Sequence, residues 1–528
     1  MKYPIGIQSF EQIINEGFVY VDKTALIHHL VTNGQIYFLS RPRRFGKSLL
    51  ISTLKNYFLG RKELFNNLAI SSLEKDWLTY PVFHIDFNGS NFTTSDGLSD
   101  ILDGYLRQWE QQYGQSPYSQ GLGSRFIYVL QQAHLQTGQR AVILIDEYDK
   151  PILDVLDSGK TATFDNRNQL LEEKNREILK TFYSVFKAAN EHIKFVLLTG
   201  VTKFSQVSIF SGFNQPADIT LDARYEAICG ITQQEVELYF SASIHEMAQK
   251  FHLQDEEIKV LLKEQYDGYH FSENLTDIYN PFSLLNTLAT QRIDDYWFRT
   301  GTPSYLIRLL NHSKENLNEL TGRFYDTSEF IDYKADVEKP LPMFYQSGYL
   351  TIKSYNFEQN TFLLDFPNNE VKKGFITALA NNYLKPSQEA GSWTRDAVTA
   401  LKEGDTEQFR ILLTSFLADI PYSMRRKEDE RERERYFHYT FYLLMRMISL
   451  YTIYTEKQQS KGRVDCIIET PHFIYIFEFK LDGKAEEALN QIERQGYAKP
   501  YDADTRQLFK IGVSFSSESG TIEEWRII

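Results

Sequence analysis

Gln35-Ile36-Tyr37-Phe38-Leu39-Ser40-Arg41-Pro42-Arg43-Arg44-Phe45-Gly46-Lys47-Ser48-Leu49-Leu50 is a short apolar strand, a tight loop and a helix opening at Gly46-Lys47-Ser48. The first N–H groups of a helix have no intrahelical partner and carry the positive end of its dipole, so they favour phosphate. Lys47 adds a point charge for the β- and γ-phosphates, and the Ser48 hydroxyl can ligate Mg²⁺. The usual spacing is G-x-x-x-x-G-K-[ST], but Arg41 stands at the first glycine, so the loop is degenerate. An ordinary strand-to-helix turn that happens to contain Gly-Lys-Ser is the competing reading.

Downstream residues favour the phosphate reading. Ala141–Ile145 is an unbroken apolar run that ends in Asp146-Glu147, as expected of a buried parallel strand with carboxylates at its C-terminal edge. Ligands of α/β sheets bind at that edge. Asp146 is placed to hold Mg²⁺ and Glu147 to polarise an attacking water. An extra strand, 82–87, lies between loop and acidic strand, and another, 194–200, follows. Thr199, Thr202 and Lys203 then stand where a γ-phosphate would be sensed, although Thr-Gly at a strand end is also plain turn chemistry. Asp22 and Lys23 read as a solvated helix cap.

The chain has 528 residues, room for several domains, with hydrophobic content of 42% and charged content of 24%. Cys229 and Cys466 fit no metal spacing and read as buried thiols of a reducing compartment. No signal-peptide core or bilayer-spanning run is evident, so a cytoplasmic protein with no membrane partner is expected. The net charge of −13 counts against tight non-specific DNA binding.

Tyr20-Val21-Asp22-Lys23-Thr24, Arg41–Ser48, Ile145–Pro151 and Gly200–Ser205 together resemble the bacterial AAA-ATPase-like family common in gut Bacteroidetes. That resemblance implies an additional-strand P-loop fold with sheet order five-one-four-three-two and ATP and Mg²⁺ as cofactors. The first glycine is missing from that family's pattern too. Domains are expected at 1–230 (AAA-like P-loop core), 231–335 (helical lid), 336–420 (connector) and 421–528. Thr232-Gln233-Gln234-Glu235 reads as a capping box opening a helix. The aromatic turns at 266–271, 279–283 and 297–303 read as core packing, and Arg299 as a candidate phosphate contact. Residues 340–383 pattern as helix, strand, turn, strand, helix. That fits a winged-helix unit, and its acidic side chains fit protein–protein packing equally.

The second constellation is at 461–480. Gly462–Ile468 and Phe473–Lys480 read as neighbouring strands of a hairpin. Side chains alternate along a strand, so Glu478 and Lys480 share a face, and the hairpin can bring Asp465 beside them. Two carboxylates and a lysine suit metal-dependent phosphodiester cleavage, with Asp465 and Glu478 on Mg²⁺. A surface hairpin with an ion pair is the plain alternative. The segments Arg463-Val464-Asp465, Phe477–Asp482 and Gln491–Tyr497 are similar to the PD-(D/E)XK nuclease superfamily. By that resemblance Glu434 is a helical acid, Asp465 and Glu478 the metal ligands, Lys480 the catalytic lysine, and Gln491 and Tyr497 supporting residues. The expected fold class is therefore α/β: a P-loop core, a helical lid, a connector and a nuclease-like domain. The expected function is an ATPase coupled to Mg²⁺-dependent cleavage of nucleic acid, DNA by resemblance, with further copies of the chain as potential partners. The alternative is a nucleotide-dependent switch or scaffold that binds without cutting.

Overall fold

The computed structural model describes residues 1–118, 120–156, 158–164, 167–204, 216–300, 303–313, 317–333, 339–384, 390–419, 440, 443–448, 453–454, 458–459, 462–463 and 465–528. The chain divides into two compact units, Met1–Val371 and Lys372–Ile528.

The first unit is built on a five-stranded parallel sheet. Its strands are β1 (Ile36–Ser40), β2 (Val82–Asp86), β3 (Ala141–Asp146), β4 (Ile193–Gly200) and β5 (Ala217–Asp218), in the order β2-β3-β4-β1-β5. This is the five-one-four-three-two order that the resemblance implies. The strands read as continuous apolar runs because helices cover both faces; all six residues of β3 are buried. Registry aligns Ser40 with Gly200, Ile145 with Leu198 and Asp86 with Asp146. The loop after β1 and the acids after β3 thus emerge at one sheet edge. The resemblance implies a fifth strand, but the two-residue β5 is too short to carry a period that would locate it in the sequence.

Helix α1 (Lys47–Phe58) follows the loop directly. Between β2 and β3 lie two helices, Gly97–Tyr113 and Leu122–Thr137, the first ending at Gly114 with φ 105°. Residues 19–23 form no ladder and lead into the helix Thr24–Asn33. Beyond the core, helices Gln233–Phe251, Asp255–Tyr266 and Pro281–Thr290 pack around Phe240, Ile244, Leu262 and Leu284. The capping box is present: Thr232 accepts from the Glu235 N–H while Glu235 accepts from the Thr232 N–H. A three-stranded antiparallel sheet joins Arg323–Asp326, Thr361–Asp365 and Thr351–Asn356.

The second unit holds a mixed sheet. In it Phe473–Leu481 lies parallel to Gln507–Phe515 and antiparallel to Cys466–Glu469, with Ile522–Ile527 on the outer edge. The amphipathic helix Ala485–Gln495 buries Ala485, Ala488, Leu489 and Ile492 on this sheet. The single strand predicted over 462–468 is two pieces. Gly462–Arg463 pairs with Gln458–Gln459, and Cys466–Glu469 joins the main sheet. Both cysteines are buried free thiols. Among the described residues, no helix is long and apolar enough to cross a membrane.

Candidate active sites

In the first unit, Gly46 takes φ 94° just before α1, a conformation that costs a glycine nothing. Arg41, the residue in place of the first glycine, does not have positive φ, so no glycine is required there. Its side chain is fully buried and is not among the residues lining the cleft beside the loop. It donates to the backbone oxygens of Ser40 (2.9 Å), Thr220 (2.8 Å) and Tyr225 (3.4 Å) and lies 4.1 Å from the Phe271 ring centre. Burial depresses its pKa. Lys47 is also buried, and its ammonium donates to the Arg41 and Pro42 carbonyls at 3.0 and 3.1 Å. An open cleft of about 390 Å³ runs along this loop, lined by Arg43, Arg44, Lys47, Ser48, Asn88, Glu147 and Phe282.

Across the cleft, Asp146 is buried and accepts from the Thr199 hydroxyl at 2.7 Å and from the Glu147 N–H at 3.1 Å. Glu147 has φ 52°; burial raises its pKa, and the charge of Lys47 opposes that rise. Thr202 gives both its N–H and its hydroxyl to Asp149 at 2.6 Å. Lys203 pairs with Asp218 at 2.8 Å and Asp332 at 3.4 Å. Asp149 is fully buried and also accepts from Val201 N–H at 3.0 Å; burial raises its pKa against the Thr202 hydrogen bonds. The sequence reading gave Asp149 no role, although it stands three residues after Asp146. Gly200 packs so closely that a Cβ there would meet Asp149 Oδ1 at 2.6 Å and the Tyr148 ring at 2.7 Å.

Asp22 and Lys23 are not a solvated cap. Asp22 accepts from the Thr24 N–H (2.8 Å), the Thr24 hydroxyl (2.6 Å) and the Ala69 N–H (2.7 Å), and Lys23 pairs with Glu235 at 2.6 Å. Arg299 pairs with Asp294 at 2.6 Å. Trp297, read from sequence as core packing, is buried yet also gives its indole N–H to the Arg43 carbonyl at 3.0 Å.

In the second unit, Cys466 faces Phe477 across the ladder, so Asp465 leaves the sheet beside Glu478. An Asp465 oxygen accepts from the Phe479 N–H at 2.8 Å. Glu478 is buried, and its carboxyl is pushed up to about 8 by burial and by the Asp465 charge, with Lys480 opposing. Lys480 Nζ lies 3.9 Å from Glu478 and donates to the Gln491 side-chain oxygen at 2.7 Å. The Gln491 amide nitrogen donates to Glu478 Oε1, while Glu478 Oε2 is buried without a hydrogen-bond partner. Asp465, Glu478, Lys480 and Gln491 are thus brought together. Two adjacent carboxylates, one with an orphaned buried oxygen, are a donor set that suits a hard divalent cation. Among the described residues, no group of three or more His, Cys, Asp or Glu side chains is arranged for a metal. Glu434 lies outside the described residues.

Residues 4–210 match the family model of the AAA-ATPase-like proteins, described as predicted AAA-ATPases, and residues 432–525 match the PD-(D/E)XK nuclease superfamily. A protein of Azotobacter chroococcum mcd 1, described as an uncharacterized protein in the vnfD 5' region, is 34% identical over 528 residues, covering 99% of this chain and 98% of that protein. With both the sheet order and the acid–lysine–glutamine cluster around buried Glu478 in hand, the chain belongs to the AAA-ATPase-like family and carries a C-terminal domain of the PD-(D/E)XK nuclease superfamily.

Proposed function

We propose that this protein binds and hydrolyses ATP in its N-terminal unit and cuts nucleic acid, DNA in preference, with Mg²⁺ in its C-terminal unit, nucleotide state controlling cleavage. The observation that carries the reading is the chain Lys480–Gln491–Glu478 beside Asp465, because a cation, a neutral spacer and two acids meet around buried Glu478. Asp465 and Glu478 would hold the ion. When bound, a divalent metal acidifies its water and neutralises charge in the transition state. Lys480 orients the nucleophile or takes its proton, Gln491 holds Lys480 and Glu478 in register, and Glu434 contributes a further acid.

At the other site, the Gly46 N–H and Lys47 would hold the β- and γ-phosphates, Ser48 and Asp146 would hold Mg²⁺, and Glu147 would polarise the attacking water. Thr199 reads the γ-phosphate through its hydrogen bond to Asp146, and Thr202 through the Asp149 network. The division into a core over 1–230, a lid over 231–335, a connector over 336–420 and a nuclease-like domain over 421–528 belongs to the same proposal, as do a cytoplasmic setting and self-association. The full chain with plasmid DNA and Mg²⁺ should cut faster with ATP than without, and Lys47→Ala should lose that difference. Equal rates with and without ATP would remove nucleotide control.

A second reading is favoured by one observation: the Lys47 ammonium, at the edge of the cleft, is held by the Arg41 and Pro42 carbonyls. On that reading the protein is a slow nucleotide switch whose nuclease-like domain binds without cutting. Nucleotide-dependent self-association with no cleavage of any nucleic acid would support it.

A further inference from the structure

We propose that Arg43 and Arg44, two arginines inside the phosphate loop, supply in cis the positive charge that ATP hydrolysis requires, and that Trp297 and Phe282 set where those charges stand. This rests on the reading of the cleft as an ATP site.

Both arginines are exposed and line the cleft that Lys47, Ser48 and Glu147 also line. Among the described residues, neither forms an ion pair with a carboxylate, whereas the neighbouring cations are committed. Arg299 is on Asp294, Lys203 on Asp218 and Asp332, and Arg41 is buried among backbone oxygens. Arg44 has φ 69°, a left-handed conformation that is strained for a non-glycine residue. Glycine would take that shape freely. A long cation there is instead carried into the cleft and held 4.8 Å from the centre of the Phe282 ring. Arg43 is fixed through its backbone, since its carbonyl accepts the Trp297 indole N–H at 3.0 Å. Trp297 is itself anchored: its backbone N–H donates to Glu370 at 2.6 Å, and its ring packs on Tyr349 at 5.2 Å.

In the hydrolysis step, a water oxygen bonds to the γ-phosphorus. The bond to the β,γ-bridging oxygen breaks, and its electron pair stays on the β-phosphate. Glu147, which lines the cleft, takes the water's proton and returns it to solvent, and the products are ADP and inorganic phosphate. Negative charge grows on the γ-oxygens and the bridging oxygen, where fixed guanidinium groups stabilise the transition state more than the ground state. Arg43 and Arg44 are catalytic residues in this assignment; Trp297 and Phe282 are positioning residues.

The test is ATP turnover and ATP affinity measured separately on the full chain with Mg²⁺. Arg43→Ala and Arg44→Ala should each lower kcat on the order of 100-fold with ATP affinity retained. Both side chains are exposed, so these variants should fold. Arg43→Lys and Arg44→Lys should recover part of the rate. Trp297→Phe keeps the aromatic packing and removes the indole donor; it should lower kcat about tenfold at unchanged affinity. Unchanged kcat in both alanine variants, or a loss confined to affinity, overturns the assignment while leaving the ATP site in place. A wild-type chain that binds no ATP overturns both.

Discussion

Lys480 donates its ammonium to the Gln491 side-chain oxygen at 2.7 Å. The same amide donates through its nitrogen to Glu478, so one neutral side chain orients a base and an acid together. Groups that hold metal ligands and catalytic side chains in place typically account for 10- to 100-fold in activity. Gln491→Ala should therefore cut the cleavage rate by about that factor. The helix carrying it, anchored by Ala488, Leu489 and Ile492, should keep its melting temperature. Cleavage kinetics read beside a thermal melt separate the two effects.

Arg41→Gly would turn the loop into the regular G-x-x-x-x-G-K-S pattern, yet it should damage the protein. The guanidinium satisfies backbone oxygens of Ser40, Thr220 and Tyr225 and stacks on Phe271. Removing it takes a donor from those buried carbonyls, of which the Tyr225 oxygen keeps the Ile228 N–H, and opens a void, for a loss of about 2–4 kcal/mol. Chemical denaturation should show this loss, with no gain in ATP affinity.

Glu370 gives a pH dependence with a definite sign. It is buried, and its carboxyl is pushed up to about 7 by burial, against hydrogen bonds from Ser283, Trp297 and Phe298. Its folded pKa lies above the unfolded value, so its stabilising contribution is complete below the unfolded pKa and is lost as pH rises through the folded one. From the ordinary carboxylate range up to about 7, the loss reaches roughly 3 kcal/mol. Asp267, also pushed up to about 7 by burial, acts in the same sense. Glu370→Gln should flatten part of the decline in melting temperature between acid and neutral pH and should stabilise the protein above pH ~7.

Glu147 and Lys47 should separate binding from turnover. Lys47→Ala removes the ammonium that serves the phosphates and should weaken ATP binding at least about tenfold by calorimetry. Glu147→Gln keeps the shape of the cleft and should leave ATP binding in place, with turnover reduced on the order of 100-fold or more.

The periodic elements were legible in the sequence. Continuous apolar runs at β3 and β4 read as buried parallel strands, and Gly46-Lys47-Ser48 fixed the start of α1. Alternation along one strand put Glu478 and Lys480 on one face and the hairpin put Asp465 beside them, whereas Gln491 was legible only through the resemblance to the nuclease superfamily. Contacts between residues distant in sequence were not legible. The Lys23–Glu235 pair spans 212 positions and the Trp297–Arg43 bond spans 254, and no local period encodes either. Arg41 read as a defect of the loop because sequence spacing carries no information on where its side chain turns. Asp149 escaped for the opposite reason: beside Asp146 and Glu147 it reads as one more edge acid, and only burial makes it the holder of Thr202.

The most direct measurement is cleavage of plasmid DNA by the full-length protein with Mg²⁺ and ATP, comparing the wild type with Glu478→Ala. Nicked or linear product from the wild type and none from the variant is the predicted result. Equal cutting by both, or no cutting by the wild type under any nucleotide, would contradict a metal-dependent nuclease built on Asp465 and Glu478.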